Sequence, residues 1–161
     1  MSANKYLAYN LIKDLKDHII RSYTNISNVC SVFNELQRLA SNKKLLHDVK
    51  LMIATSCSEV CASDGFRQIE ENALVAILKS NRLYIGELDL LKACLRWTDS
   101  EVERRHLKRE EVDKRTVFGS IKHLIRFSDL NTFDFGSILN LKDYLTNEEI
   151  ASIFIHICQP S

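Results

Sequence analysis

The chain has 161 residues, with 22 Lys+Arg against 21 Asp+Glu, a formal net charge of +1. That length builds one domain, or two small helical modules on a shared core, without metal or disulfide staples. The charge balance argues against a dedicated nucleic-acid or polyanion binder, and 45% hydrophobic with 27% charged residues excludes disorder.

Four glycines and one proline are too few for the turns of a sheet-rich domain. Pro160 lies one residue from the end, so nothing interrupts helices through the body of the chain. The cysteines, Cys30, Cys57, Cys61, Cys94 and Cys158, are odd in number and scattered, as expected of reduced thiols in a cytosolic or nuclear protein. Neither a signal peptide nor an apolar run near the ~20 residues of a membrane span is evident.

Helical periodicity runs almost throughout. Leu7, Leu11, Leu15 and Ile19 fall at steps of four in residues 4–22, with Ile12 and Ile20 widening the stripe. Ser27 reads as the N-cap of a second helix, on which Val29, Val32, Phe33, Leu36 and Leu39 share a face. The short link Tyr23–Ile26 predicts that these two helices pack as an antiparallel hairpin. A third helix is expected over 43–62 through Leu46, Val49, Ile53 and Val60, ended by Asp64-Gly65 with Gly65 in a left-handed position.

A helix over 70–80 follows, and then a stronger one from Glu87 to about Arg104. Its two stripes, Leu88-Leu91-Leu95 and Leu90-Cys94-Trp97, predict a central, buried helix. Residues 101–115 are dense in both charges and read as a solvated helix end and loop. Helices over 112–126 (Val117, Ile121, Leu124, Ile125) and near 132–139 come next. The last begins at a capping box of Thr146 and Glu149 and shows Ile150, Ile153, Phe154 and Ile157 on one face. The fold class is all-α, about eight helices in stacked antiparallel hairpins.

No phosphate loop, Gly-x-Ser-x-Gly elbow or His-Glu-x-x-His is present. His18, His47, His106, His123 and His156 are far apart and make no ligand spacing with a Cys or carboxylate, and Cys57 and Cys61 lack a second pair. His123 is expected on the surface or satisfied in the core, although a Cys/His pair meeting in space stays open. Asn25-Ile26-Ser27 is a glycosylation sequon, relevant only to a secreted chain. Trp97 is read as core. Catalytic residues, metal ligands and cofactors: none is expected.

The stretch Gly65 to Trp97, GFRQIEENALVAILKSNRLYIGELDLLKACLRW, resembles the BACK domain, the helical module that follows a BTB domain in BTB–kelch and related proteins. The features are Phe66 entering a helix, Ser80-x-x-Leu83, Glu87 ten residues before Trp97, and Ala93-x-Leu95-x-Trp97. The spacing from Leu83 to Trp97, with TDSEVERRHL, VFGSIKHLIRFSDLNTFDF and YLTNEEIASIFI after it, is most similar to the subgroup that carries a C-terminal PHR domain. Residues 2–6 look like the end of a BTB domain and 25–39 like the helical 3-box. The resemblance therefore implies 1–41 as BTB end plus 3-box hairpin and 42–161 as BACK, with BTB ahead of Met1 and a PHR or kelch domain after Ser161.

It further implies a non-catalytic adaptor segment of a cullin-3-class RING ubiquitin ligase, which holds a substrate-binding domain at a fixed reach from the cullin. The partners would be the cullin scaffold and, through a domain outside this chain, a protein substrate. No nucleic acid or membrane is expected. The family's cullin groove maps to Ile26, Val29, Val32, Phe33 and Leu36, which as residues read equally as hairpin core. The whole protein is expected to be a BTB homodimer and this segment a monomer or weak dimer, in the cytoplasm or nucleus. Two other readings stand beside this one: a BTB–BACK scaffold or transcriptional co-factor that binds no cullin, and an unrelated helical-repeat module, which would form a regular superhelix.

Overall fold

The computed structural model describes residues 3–39 and 42–159, all of whose regular structure is helical. Pro160 and the side chains of Tyr6 and Ile12 lie outside the described residues. Among the described residues ten α-helices are seen: α1 (Ala3–Tyr23), α2 (Val29–Leu39), α3 (Lys43–Thr55), α4 (Cys57–Ala62), α5 (Asp64–Arg67), α6 (Glu71–Leu78), α7 (Glu87–Leu107), α8 (Lys114–Gly119), α9 (Thr132–Gly136) and α10 (Asn147–Cys158). Three 3₁₀ turns, Lys122–Leu124, Phe127–Asp129 and Leu141–Asp143, join the later ones. The short α9 between 3₁₀ turns is the irregularity expected of a compact stack, not a superhelical repeat.

The helix α7 is central, as its two stripes predict. Leu90, Leu91, Cys94, Leu95 and Trp97 are all buried, and α4, α5 and α8 pack around it. Trp97 is wholly enclosed and its indole N–H donates to the Ile69 carbonyl at 2.8 Å, tying α7 to the link between α5 and α6. Thr98, a buried polar side chain, donates to the Cys94 carbonyl at 2.9 Å. One continuous core takes Val29, Cys30 and Phe33 of α2 together with Leu91 and Trp97 of α7 and Phe118 of α8.

Several boundaries differ from the periodicity. The expected helix 43–62 breaks at Ser56, whose φ of −107° and ψ of 27° redirect the chain into α4. The apolar period crosses the break unaltered, because Ile53, Cys57 and Val60 all still face the core. Gly65 does not end a helix in a left-handed position: it lies inside α5 with no positive φ. A Cβ there would meet the Ser27 carbonyl at 3.4 Å and Cys30 Cβ at 3.7 Å, ordinary contact distances, so α5 packs against the start of α2 without requiring glycine.

Ser27 is not the cap of α2. Asn25 and Asn28 order that turn instead: the Asn28 side chain accepts from the Asn25 N–H at 2.8 Å and donates to the Tyr23 carbonyl at 2.9 Å. The Asn25 side chain accepts from the Ser27 N–H at 2.9 Å. The helix expected over 112–126 shortens to α8. The Ser120 hydroxyl donates to the Val117 carbonyl at 2.9 Å, and the Ile121 N–H bonds Phe118, three residues back. That tightens the chain into a 3₁₀ turn while Val117, Ile121 and Ile125 stay buried.

The predicted α1–α2 hairpin is also revised. The main partner of α2 is α3, and α1 stands off from α2 across a groove. Leu7, Leu11, Leu15, Ile19 and Tyr23 of α1 are exposed, whereas Ile20 reaches the core. Polar bonds to the neighbourhood of α3 hold α1: Arg21 to Asp48 at 2.8 Å, and the Asn42 side-chain amide to Asp17.

At the other end, the capping box forms as expected, with the Glu149 N–H donating to Thr146 Oγ1 at 3.2 Å and the Thr146 N–H to Glu149 at 2.9 Å. Glu149 also receives Lys122. The charged tract 101–115 contains more than a solvated end: Glu101 binds Arg104 at 2.6 Å and Arg105 at 2.9 Å, and Arg105 reaches Glu71 of α6 at 2.7 Å. Arg109, at φ 63°, closes α7 with the Glu110 N–H bonded back to the Arg105 carbonyl at 3.1 Å.

Candidate functional site

The α1–α2 groove encloses about 240 Å³. Its apolar walls are Ile19, Ile20 and Tyr23 from α1 and Val32, Leu36 and Leu39 from α2, with Glu35 on the rim. The asparagine turn fixes its closed end, since the Ile20 carbonyl also receives the Thr24 N–H at 2.9 Å and its hydroxyl at 2.6 Å. Arg21–Asp48 holds the far wall, so the groove is set by polar pins and left apolar inside. Such a trough accepts apolar side chains from a partner's helix or extended segment.

The structure divides the five residues expected to form a cullin groove. Val32 and Leu36 line the trough, Leu36 being largely buried at its base. Val29 and Phe33 are wholly enclosed in the core, facing away from any partner. Ile26 is half-buried in the turn and packs on the core. Ile19 and Leu39 were legible only as parts of helix stripes, and Tyr23 was read as part of the link between the helices. Their exposure shows the trough, and the i, i+4 step from Ile19 to Tyr23 is the sequence signal that could have found them.

The thiols form a second notable group. Cys57 and Cys61 Sγ lie 3.7 Å apart, and Cys30, Cys57, Cys61 and Cys94 are buried while Cys158 is exposed. Burial, then the neighbouring Cys57, pushes Cys30 up to about 12. The thiol contact with Cys57, then burial, holds Cys61 far above the usual thiol range. Burial, then the Glu87 carboxylate, does the same to Cys94. Protonated at neutral pH, these three are poor nucleophiles and poor metal ligands. Among the described residues no group of three or more His, Cys, Asp or Glu is arranged to hold a metal ion. His123 is exposed in the turn Lys122–Leu124.

A polar cluster joins the C-terminal third to α7. Tyr144 donates to Asp99 at 2.8 Å, and Lys114 pairs with Asp99 at 2.7 Å while lying 5.0 Å from the centre of the Tyr144 ring. Burial first, and the bond to Asp99 second, raise Tyr144 to about 12. The cluster holds the last third of the chain in place on α7 and α8.

The fold defines an all-helical module, and the comparison of sequences gives its family. Residues 30–114 match the family described as BACK, BTB And C-terminal Kelch, and the chain belongs to that family. It is similar to BTB/POZ domain-containing protein 6-A of Danio rerio, 28% identical over 154 residues that cover 96% of this chain and 28% of that protein. BTB/POZ domain-containing protein 6 of Homo sapiens is 27% identical over the same share of this chain and 28% of its own length. BTB/POZ domain-containing protein 3 of Homo sapiens is 31% identical over 93 residues, 58% of this chain and 18% of that protein. The chain spans under a third of the length of these relatives. No solved structure matches it. Family membership replaces the reading as an unrelated helical repeat. The match opens at Cys30, within α2.

Proposed function

We propose that this chain is the helical adaptor segment of a BTB–BACK substrate receptor for a cullin-3-class RING ubiquitin ligase. The observation that carries the reading is the apolar α1–α2 trough, whose α2 wall lies at the start of the BACK match, in a chain whose relatives are named for BTB/POZ domains. In this reading Val32 and Leu36 form the floor, Ile19, Tyr23 and Leu39 the lips, and an apolar cullin segment the occupant. Residues 1–41 then carry the BTB end and 3-box hairpin, and 42–161 the BACK domain. The role is geometric and not catalytic: an interlocked stack keeps substrate near the ligase's reacting end and raises its effective concentration there. A PHR or kelch domain after Ser161, a BTB homodimer, and residence in the cytoplasm or nucleus complete the proposal. Four buried thiols with no disulfide among them support such a reducing compartment.

The test is a binding isotherm between the full-length protein and a cullin-3 N-terminal region, repeated with Tyr23→Ala/Leu39→Asp. Both side chains are exposed, so folding is retained. A loss of at least tenfold in affinity supports the groove. Binding unchanged by the double variant sinks the groove assignment, and no binding by the parent protein favours a scaffold without a cullin.

A further inference from the structure

A second concavity, of about 300 Å³, lies between α3 and the link from α6 to α7. His47, Lys50 and Leu51 project from one face of α3 at i, i+3 and i+4, and Lys79, Ser80 and Arg82 form the facing wall. The Tyr84 N–H donates to the Ala54 carbonyl at 3.0 Å, which fastens the link against the end of α3 and fixes the distance between walls.

The charges here are one-sided. No acidic residue lines the cavity, and Lys50, Lys79 and Arg82 make no ion pair among the described residues, although Arg21, Arg38, Arg105, Lys114 and Lys122 all hold carboxylates. The acid on the adjoining cleft, Glu87, is committed to the Arg126 N–H at 2.7 Å. Lys79 and Arg82 follow the carboxyl end of α6, where the helix dipole favours cations, so the fold holds them without a counter-charge. Ser80 stands on the same wall, and its hydroxyl oxygen, itself buried beneath the surface, has no hydrogen-bond partner in the protein.

We propose that this cavity binds the phosphorylated side chain of a peptide. A phosphoryl group brings a charge of about −1.5 to −2 and three acceptor oxygens, which matches the three cations Lys50, Lys79 and Arg82. A carboxylate, with one charge and two acceptors, would leave part of this set unmatched. Leu51, 55% exposed on the α3 wall, gives the residue beside the phosphoryl an apolar seat, and so favours a peptide over the free anion. None of these residues belongs to the α1–α2 groove, so this proposal and the adaptor reading stand or fall separately.

The chain, at 18.6 kDa, suits titration by amide NMR with N-acetyl-phosphoserine methylamide, the unphosphorylated amide and inorganic phosphate as probes. Expected are saturable shifts confined to residues 47–54 and 79–84 with the phosphoserine amide. Inorganic phosphate should bind at least threefold more weakly, and the unphosphorylated amide should give no shift. Lys50→Gln/Arg82→Gln should weaken the phosphoserine amide at least tenfold, while Lys108→Gln on the exposed end of α7 leaves it unchanged. The spectrum of each variant reports its folding, and Arg82→Gln alone replaces the double variant if that spectrum collapses. Shifts that fail to saturate, spread over other lysines or survive the substitutions overturn the site. Equal binding of inorganic phosphate overturns the peptide as its source.

Discussion

Trp97→Phe isolates the bond that ties the central helix to the α5–α6 link. The aromatic ring is kept, but the indole N–H is lost and the Ile69 carbonyl, in a wholly enclosed residue, loses its 2.8 Å donor. Leaving a buried acceptor unsatisfied costs about 1–3 kcal/mol. The smaller ring also vacates about 40 Å³, which at about 24 cal/mol per Å³ adds about 1 kcal/mol. The expected loss is therefore about 2–4 kcal/mol, below the 5–15 kcal/mol or so of total stability usual for a domain, so the variant folds and can be measured. Urea denaturation followed by far-ultraviolet circular dichroism is the assay, because the substitution removes the chain's only tryptophan and with it the fluorescence signal. A midpoint within error of the parent, at equal m, would refute the claim that this bond and this volume are part of what fixes α7.

Four further outcomes are expected. Leu91→Ala, in the wholly buried wall of α7, should cost about 2–5 kcal/mol in the same denaturation assay. Arg109→Gly should raise stability by about 0.5 kcal/mol, relief of the left-handed strain outweighing the added chain entropy, visible as about 1–2 °C in calorimetry. Ellman's reagent should titrate one thiol, Cys158, in the native protein and all five after unfolding; rapid reaction of more than one would contradict the burial of the rest.

The fourth concerns acid. Burial opposes ionisation of Glu101, but hydrogen bonds from Arg105 and Arg104 prevail and hold it below the usual carboxylate range. Lys122 and the Thr146 N–H do the same to Glu149. A folded pKa below the unfolded one gives stability that is complete above the ordinary carboxylate pKa and lost as pH falls through the depressed value. Thermal melts from about pH 6 down to about pH 3 should show that loss, and Glu101→Gln should flatten it.

Spacing alone made α7, its two apolar faces, the Trp97 core and the Thr146–Glu149 box legible, since each is a local pattern with a local cause. The break at Ser56 was not legible, because Ile53, Cys57 and Val60 keep the helical period through it. Gly65 pointed to a helix end on composition, but it lies inside the short α5 with no positive φ, which composition alone does not mark. The stripe on α1 announced an apolar face without saying what lies against it, so the hairpin was assigned to the neighbour in sequence when α3 is the partner of α2. Val29 and Phe33 shared a helix with Val32, and only packing separates core from groove. The basic cavity joins residues about thirty apart in sequence, across a link fastened by one backbone bond, and no local pattern foretells it.

The partnering of helices has a kinetic side. Most of the close packing joins elements adjacent or nearly so in the chain: α2 with α3, α3 with α4, α4 with α5 and α7 with α8. Short loops close at little entropic cost, and chains dominated by such contacts fold quickly. The first half of the stack is thus able to assemble while later residues are still being synthesised, and the wait is for α7, whose seats on α4 and α5 span the longer loop. The bond from Trp97 to the Ile69 carbonyl spans 28 residues of chain and is among the contacts that must wait for α7.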